Sequence, residues 1–164
     1  MKDLEPLPLS DKISGAPHPS EATTIFGQDS AQQQFLNAFD RGRLHHAWLL
    51  SGPRGVGKAT LVWKIAKFLL TTPNAPAQDG LFGAMSQHVS NLETPPDHPA
   101  LPRILAGSEP ALCVLRRSYD EKRKRFKQNI TVDDVRSLKS FFGLSAADGG
   151  ARVVIIDAAD DMTG

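Results

Sequence analysis

A glycine-rich segment, residues 52–60, constrains the fold of this chain more than any other part of its sequence. It reads Gly-Pro-Arg-Gly-Val-Gly-Lys-Ala-Thr. An apolar run at 47–50 predicts a strand before it, and apolar positions at helical spacing between 58 and 70 predict a helix after it. Strand, glycine-rich turn and helix in this order are typical of a phosphate-binding loop, because backbone N–H groups converge there with the free N–H groups of the helix start.

The sequence therefore predicts a nucleotide-phosphate site, with Lys58 reaching the outer phosphates. In a working loop a Ser or Thr hydroxyl after the lysine holds Mg²⁺, and here that position is Ala59. Thr60 follows, but one residue is about 100° around a helix, so its hydroxyl points elsewhere. The residues expected to form the site, active or vestigial, are Gly52, Pro53, Arg54, Gly55, Val56, Gly57, Lys58 and Thr60.

The run Val-Val-Ile-Ile-Asp at 153–157 is the second chemical signal. Its β-branched residues suit a parallel strand covered on both faces. As a Walker B strand it would place Asp157 at its carboxyl end, facing the loop, where the carboxylate could hold Mg²⁺. Nucleotide hydrolases with such a strand usually carry a glutamate directly after the aspartate. Here Ala158 follows Asp157, and Asp160 stands two residues after Ala158. Without a ligand, Asp157 is simply an acid that ends a strand.

The rest of the chain predicts an α/β fold with a parallel sheet, because helix and strand patterns alternate. Asp29 and Gln32 form a capping-box pattern for a helix that stops at Gly42. A strand is expected at 111–115, and Thr131 with Asp134 predicts a capped helix through residue 142. Residues 148–150 predict a turn before the last strand.

We expect three parts in the chain. Residues 1–22 hold four prolines and predict a flexible tail. Residues 23–164 form a nucleotide-binding domain, and within it 71–110 is a proline-rich loop region with one short helix around 81–91.

Composition excludes several classes of protein. The 164 residues suffice for one domain. The apolar runs are far shorter than the roughly 20 residues that span a bilayer, and the first residues lack the apolar core of a secretory signal. The single cysteine, Cys113, excludes a disulfide within the chain and a cysteine-based zinc cluster. We expect a cytoplasmic protein with no membrane partner and no metal site.

A basic run at 116–127 interleaves seven cations with two acids and two aromatic residues. It predicts either a nucleic-acid contact or a subunit contact, and a solvated loop is the plain alternative. If about four of these cations contacted DNA phosphates, the slope of log K against log salt concentration would be about −3.6. Its cations are Arg116, Arg117, Lys122, Arg123, Lys124, Arg125 and Lys127.

Together these motifs resemble the delta-prime subunits of bacterial DNA polymerase III. The resemblance rests on Gly27-Gln28, on His-Ala-Trp-Leu-Leu at 46–50 leading into the glycine-rich loop, and on Asp-Ala-Ala-Asp at 157–160. It covers about residues 24–162. It implies a three-layer AAA+ fold of the phosphate-loop NTPase type and a non-catalytic stator of the clamp loader. Such a subunit would share a five-subunit ring with motor subunits and delta, and would help load the sliding clamp at primed DNA.

On this resemblance we expect no catalytic residue and no intrinsic ATPase, although the holoenzyme is a DNA-directed DNA polymerase. ATP would bind weakly, if at all. Many relatives carry a four-cysteine zinc module, which this sequence lacks, so zinc is not expected. The family also continues beyond the Walker B strand, with a later strand between it and the loop strand. A truncated product that is unstable alone is therefore expected. An active ATPase using Thr60 and Asp160, or a nucleic-acid-binding module, are the alternatives.

Overall fold

The computed structural model describes residues 7–72, 89–143 and 150–162. Three helices are followed by three strands, two further helices and a last strand, and the parallel pairing of the first and last strands confirms the α/β class. The elements in chain order are α1 (Asp29–Asp40), α2 (Lys58–Thr71), α3 (Ala100–Leu105), β1 (Leu112–Arg116), β2 (Tyr119–Asp120), β3 (Arg125–Phe126), α4 (Val132–Arg136), α5 (Leu138–Gly143), β4 (Val153–Asp157) and a 3-10 helix at Ala159–Asp161.

A small parallel sheet, formed by β1 and β4, organises the second half of the chain. Its register runs from Leu112 opposite Val153 to Arg116 opposite Asp157. Both strands were expected from their apolar runs, within one residue of their bounds. The β2–β3 hairpin and the helices α4 and α5 form the connection between the two strands. This crossover brings two charged residues, Arg116 and Asp157, to the same edge.

The strand expected at 47–50 is not formed. These residues belong to no helix or strand, and the described part of the chain pairs no other strand with them. Trp48 rests against Phe35, with ring centroids 5.5 Å apart, whereas Leu49 is 82% exposed. An apolar run becomes a strand only where a neighbouring strand completes its backbone hydrogen bonds. The strand prediction for residues 47–50 is therefore wrong.

The apolar core consists of two clusters, and α2 contributes to both. The first joins Phe35 and Leu36 of α1 to Leu61 and Phe68 of α2. The second joins Trp63 and Ala66 of α2 to the following elements, and its other buried members are Ala100, Ile104 and Ile155. Since residues of one helix face both clusters, α2 is the element that connects the loop side of the molecule to the parallel sheet.

Helix boundaries match the sequence in part. Gly42 has a φ of 61° and follows the end of α1 as expected. The Asp29 capping box is wrong, because the helix begins at Asp29, with Gln28 as N-cap and no side-chain cap. The Thr131–Asp134 box is confirmed, but the expected single helix is divided at Ser137.

Two further predictions cannot be compared in full. The expected helix around 81–91 and the expected turn at 148–150 lie largely outside the described residues. Within the part that the structure describes, no helix has the length and apolar character needed to cross a membrane.

Candidate functional site

The glycine-rich loop owes its path to backbone conformations that glycine alone adopts freely. Gly52, Gly55 and Gly57 have φ values of 144°, 83° and 90°. A side chain at these φ angles would meet the backbone, so L-residues are strained there. Gly57 is also the N-cap of α2, which begins at Lys58. The loop therefore delivers the chain into the helix start that the sequence predicts.

Lys58 folds back over this loop. Its Nζ donates hydrogen bonds to the carbonyl oxygens of Gly52, at 2.8 Å, and Pro53, at 2.7 Å. A lysine ammonium has three donors, so two of them serve the loop itself. The other charged residue of the loop, Arg54, is exposed. The Lys58 ammonium is therefore fixed against the loop by two hydrogen bonds.

A segment before α1 supports the loop from outside. The Gln28 side-chain amide donates to the carbonyl of Val56 at 2.6 Å. The Ile25 side chain lies beneath Gly57, at 3.8 Å from the position that a Cβ would occupy. The supporting role of Gln28 was missed at the sequence level, where only the pair Gly27-Gln28 was noted.

The residues after Lys58 do not supply magnesium ligands of the expected kind. Ala59 and Thr60 lie half-buried in the first turn of α2. The methyl group of Ala59 occupies the position where a hydroxyl would be needed, and a methyl group cannot coordinate a hard cation. Among the described residues no cluster of three or more His, Cys, Asp or Glu side chains could hold a metal ion. At residue 59 the start of α2 therefore offers no oxygen ligand to Mg²⁺.

Asp157 lies at the carboxyl end of β4, as expected, but its charged neighbours are not in the loop. Burial raises its pKa, and repulsion from Asp11 and Asp161 raises it further, against the opposite effect of Arg116 and His18. Within the described ranges, no hydrogen bond or ion pair joins Asp157 to residues 52–58.

Asp160 is exposed in the 3-10 helix after β4. The neighbouring Asp161, which the sequence did not single out, pairs with Arg117 at 3.1 Å. Asp160, three residues beyond the end of β4, therefore carries its carboxylate in solvent.

The segment expected to be a flexible tail brings Asp11 to this edge. The Asp11 side chain is 2% exposed, and its two oxygens accept hydrogen bonds from Arg116 at 2.7 and 2.6 Å. His18 lies 3.1 Å from the same carboxylate, and its ring meets Trp63 edge-on at 5.5 Å. Residues 11–18 thus form a strap across the end of the parallel sheet. No local pattern predicts the strap, because its contact with the sheet joins Asp11 to Arg116, 105 positions further along the chain.

The seven cations of the basic run divide into two groups. Arg116 and Arg117 pair with Asp11 and Asp161, and so tie the hairpin to the domain. The other five cations lie on or beside the β2–β3 hairpin, exposed to solvent. They are Lys122, Arg123, Lys124, Arg125 and Lys127.

Comparison with known proteins gives concordant matches. The family described as "DNA polymerase III, delta subunit" matches residues 27–164. The delta' subunit of DNA polymerase III from Pseudomonas aeruginosa is 33% identical over 122 residues, which is 74% of this chain and 31% of that protein. The gamma subunit from Buchnera aphidicola (Schizaphis graminum) is 49% identical over 51 residues, covering 31% of this chain and 14% of that protein.

A third relative extends the same pattern. The tau subunit from Escherichia coli K12 is 39% identical over 51 residues, covering 31% of this chain and 8% of that protein. The chain spans less than a third of the length of each of these three relatives.

Proposed function

Since this chain belongs to the DNA polymerase III delta-subunit family, we propose that it acts as a non-catalytic, delta-prime type subunit of a clamp loader. The delta' relative matches about three quarters of the chain, whereas the gamma and tau relatives match under a third. In this role the chain would support the loading of a sliding clamp at primed DNA, in the cytoplasm, beside motor subunits and a delta subunit in a five-subunit ring.

The observation that carries the proposal is Ala59 in the first turn of α2. The helix begins at Lys58, so residue 59 occupies the position at which a phosphate loop presents its magnesium ligand. Ala158 similarly follows β4 where a water-activating carboxylate would be needed. Removing both groups leaves a three-layer AAA+ scaffold without its hydrolytic chemistry.

The internal bonding of the loop supports the same role. Lys58 donates to the carbonyls of Gly52 and Pro53, so only one of its three ammonium donors is left for a phosphate. The charged groups that act on Asp157 are Asp11, Asp161, Arg116 and His18, and none of them belongs to the loop. A subunit with these contacts is suited to remaining in one conformation while its neighbours turn over ATP.

The test is the magnesium dependence of ATP binding, read by thermal denaturation. A ligand at 100 times its Kd stabilises by about 2.7 kcal/mol, which is roughly 5–10 °C for a domain of this size. We expect any ATP-induced shift to be the same with Mg²⁺ and with EDTA, and we expect no phosphate release. The Ala59→Thr variant restores the hydroxyl, and its shift should become larger with Mg²⁺ than with EDTA.

A matched pair of variants identifies the opposite outcome. Lys58→Ala removes the loop lysine, and Lys64→Ala removes another lysine from the same helix. Phosphate release that requires Mg²⁺, is lost in Lys58→Ala and survives in Lys64→Ala would overturn the stator role. It would show an active ATPase that uses Thr60 and Asp160 instead.

A further inference from the structure

We propose that the β2–β3 hairpin is a nucleic-acid backbone contact, in which exposed cations meet phosphates and the aromatic pair is structural. The segment 119–127 carries five cations and two acids, a net charge of +3, in a chain whose formal net charge is only +1. The remainder of the chain is therefore net negative. Positive charge is concentrated on this one small element.

The hairpin is built as a defined ribbon. Tyr119 pairs with Phe126 and Asp120 with Arg125 in antiparallel register. The Asp120 carboxylate accepts hydrogen bonds from the backbone N–H groups of Lys122, at 3.0 Å, and Arg123, at 3.1 Å. These two bonds close the turn. The cations are therefore presented by a fixed turn.

Ion pairing separates the anchors of the hairpin from its free cations. Arg116 and Arg117, just before β2, are committed to Asp11 and Asp161. Within the hairpin the one ion pair joins Arg123 to Asp120, at 3.8 Å, and the Arg123 side chain is 70% exposed. An exposed pair of this length contributes little. The four cations that pair with no acid among the described residues are Lys122, Lys124, Arg125 and Lys127.

The shape of the ribbon favours a polyanion over a protein partner. Tyr119 and Phe126 contact each other across the strands, with centroids 5.3 Å apart, and both are half-buried. They therefore offer no exposed apolar anchor of the kind that dominates protein interfaces. Arg123, Arg125 and Lys127 line a surface depression of the hairpin, and Asp120, Phe126 and Gln128 complete its lining. A two-stranded ribbon is also narrow enough to enter the major groove of DNA.

The expected binding is independent of sequence and steep in salt. Four phosphate contacts give a slope of log K against log salt of about −3.6 on duplex DNA and about −2.8 on single strands. The DNA contact at the hairpin requires neither the stator role nor an empty nucleotide loop. The proposal for the hairpin and the proposed function can therefore fail independently of each other.

The experiment measures binding of this chain to a labelled duplex and a labelled single strand by fluorescence anisotropy, from 50 to 200 mM salt. The test variant is Lys122→Gln with Arg125→Gln and Lys127→Gln. The control variant has the same charge change elsewhere on the surface, Arg41→Gln with Arg43→Gln and Lys139→Gln. We expect the test variant to bind duplex at least tenfold more weakly at 50 mM salt, with a slope reduced to about −0.9. The control should keep the slope of the parent chain.

Three results would overturn the inference. The first is no DNA binding by the parent chain at 50 mM salt. The second is an equal loss in the test and control variants, which would mean that net charge alone decides. The third is displacement of the DNA by polyglutamate of the same total charge at equal concentration, which would identify an acidic protein surface as the partner.

Discussion

Asp11 is the residue that holds the strap to the parallel sheet. Its carboxylate is almost fully buried and receives both Arg116 and His18. A buried carboxylate is stable there only because two cationic or hydrogen-bonding partners compensate its lost hydration. Removing any one member leaves the others without compensation, so the three residues should behave as one unit.

We therefore expect Asp11→Ala to lower the free energy of unfolding by about 2–4 kcal/mol, in the lower part of that range because Arg116 is 25% exposed. Arg116→Ala should cost a similar amount, and the double variant should cost much less than the sum. Urea denaturation measures all three, with Asp97→Ala as an exposed acidic control. Additive losses would mean that the pair is not coupled.

The sequence identified the residues of the loop better than their contacts. The three glycines could be assigned from spacing, because the positive φ values of the loop favour glycine, and Lys58 and Ala59 follow from their places after the last glycine. The bonds of Lys58 to Gly52 and Pro53, and the support from Gln28, depend on tertiary placement. Asp157 shows the same limit, because its position at a strand end was predictable and its neighbours were not.

The helix α4 depends on its capping box. The Thr131 hydroxyl lies 2.6 Å from the Asp134 carboxylate, which also accepts the backbone N–H of Thr131 at 2.8 Å. The hydroxyl bond, followed by the backbone bond, lowers the pKa of Asp134, and Lys127 adds to this against the effect of burial. The ionised form of Asp134 is therefore the one that stabilises the folded protein.

Thr131→Ala should cost about 1 kcal/mol at pH 7. Because the folded pKa of Asp134 is below the unfolded value of about 3.9, the ionised acid stabilises the fold above that pH. This contribution is lost as the pH falls through the folded pKa. The gap in melting temperature between parent and variant should therefore narrow below about pH 4. Thr24→Ala serves as an exposed control, and a gap that is constant with pH would argue against the box.

Local signals succeeded where an element needs little beyond its own residues. The capping box of α4 is of this kind. The strand expected at 47–50 and the unbroken helix from 131 to 142 are not. A strand requires a partner, which β4 has in β1 and residues 47–50 lack among the described residues.

At the scale of the whole molecule, α2 joins the two apolar clusters. Leu61 and Phe68 face the first cluster, and Trp63 and Ala66 face the second. Among the described residues each cluster has five buried members, and α2 supplies two of them in each case. We infer that the loop side and the sheet side unfold together.

Leu61→Ala should lower the free energy of unfolding by about 2–5 kcal/mol, because Leu61 is 1% exposed and its removal leaves a cavity. Leu105→Ala, at a position 53% exposed, should change it by about 0.5 kcal/mol or less. Leu61 belongs to the first cluster. The lowered free energy of unfolding should nevertheless be the same when unfolding is followed through Trp63 of the second cluster. A midpoint that shifts in one cluster alone would show two independent units.

The chain supplies optical probes for that comparison. It has two tryptophans. Trp48 contacts Phe35 of the first cluster, and Trp63 belongs to the second. Trp48, beside the glycine-rich loop, is 40% exposed, while Trp63, against His18 of the strap, is 4% exposed. Acrylamide should therefore quench the fluorescence of the first far more than that of the second. The native fluorescence can therefore be divided into a quenchable component from Trp48 and a protected component from Trp63. The first reports on the region beside the loop, and the second reports on release of the strap.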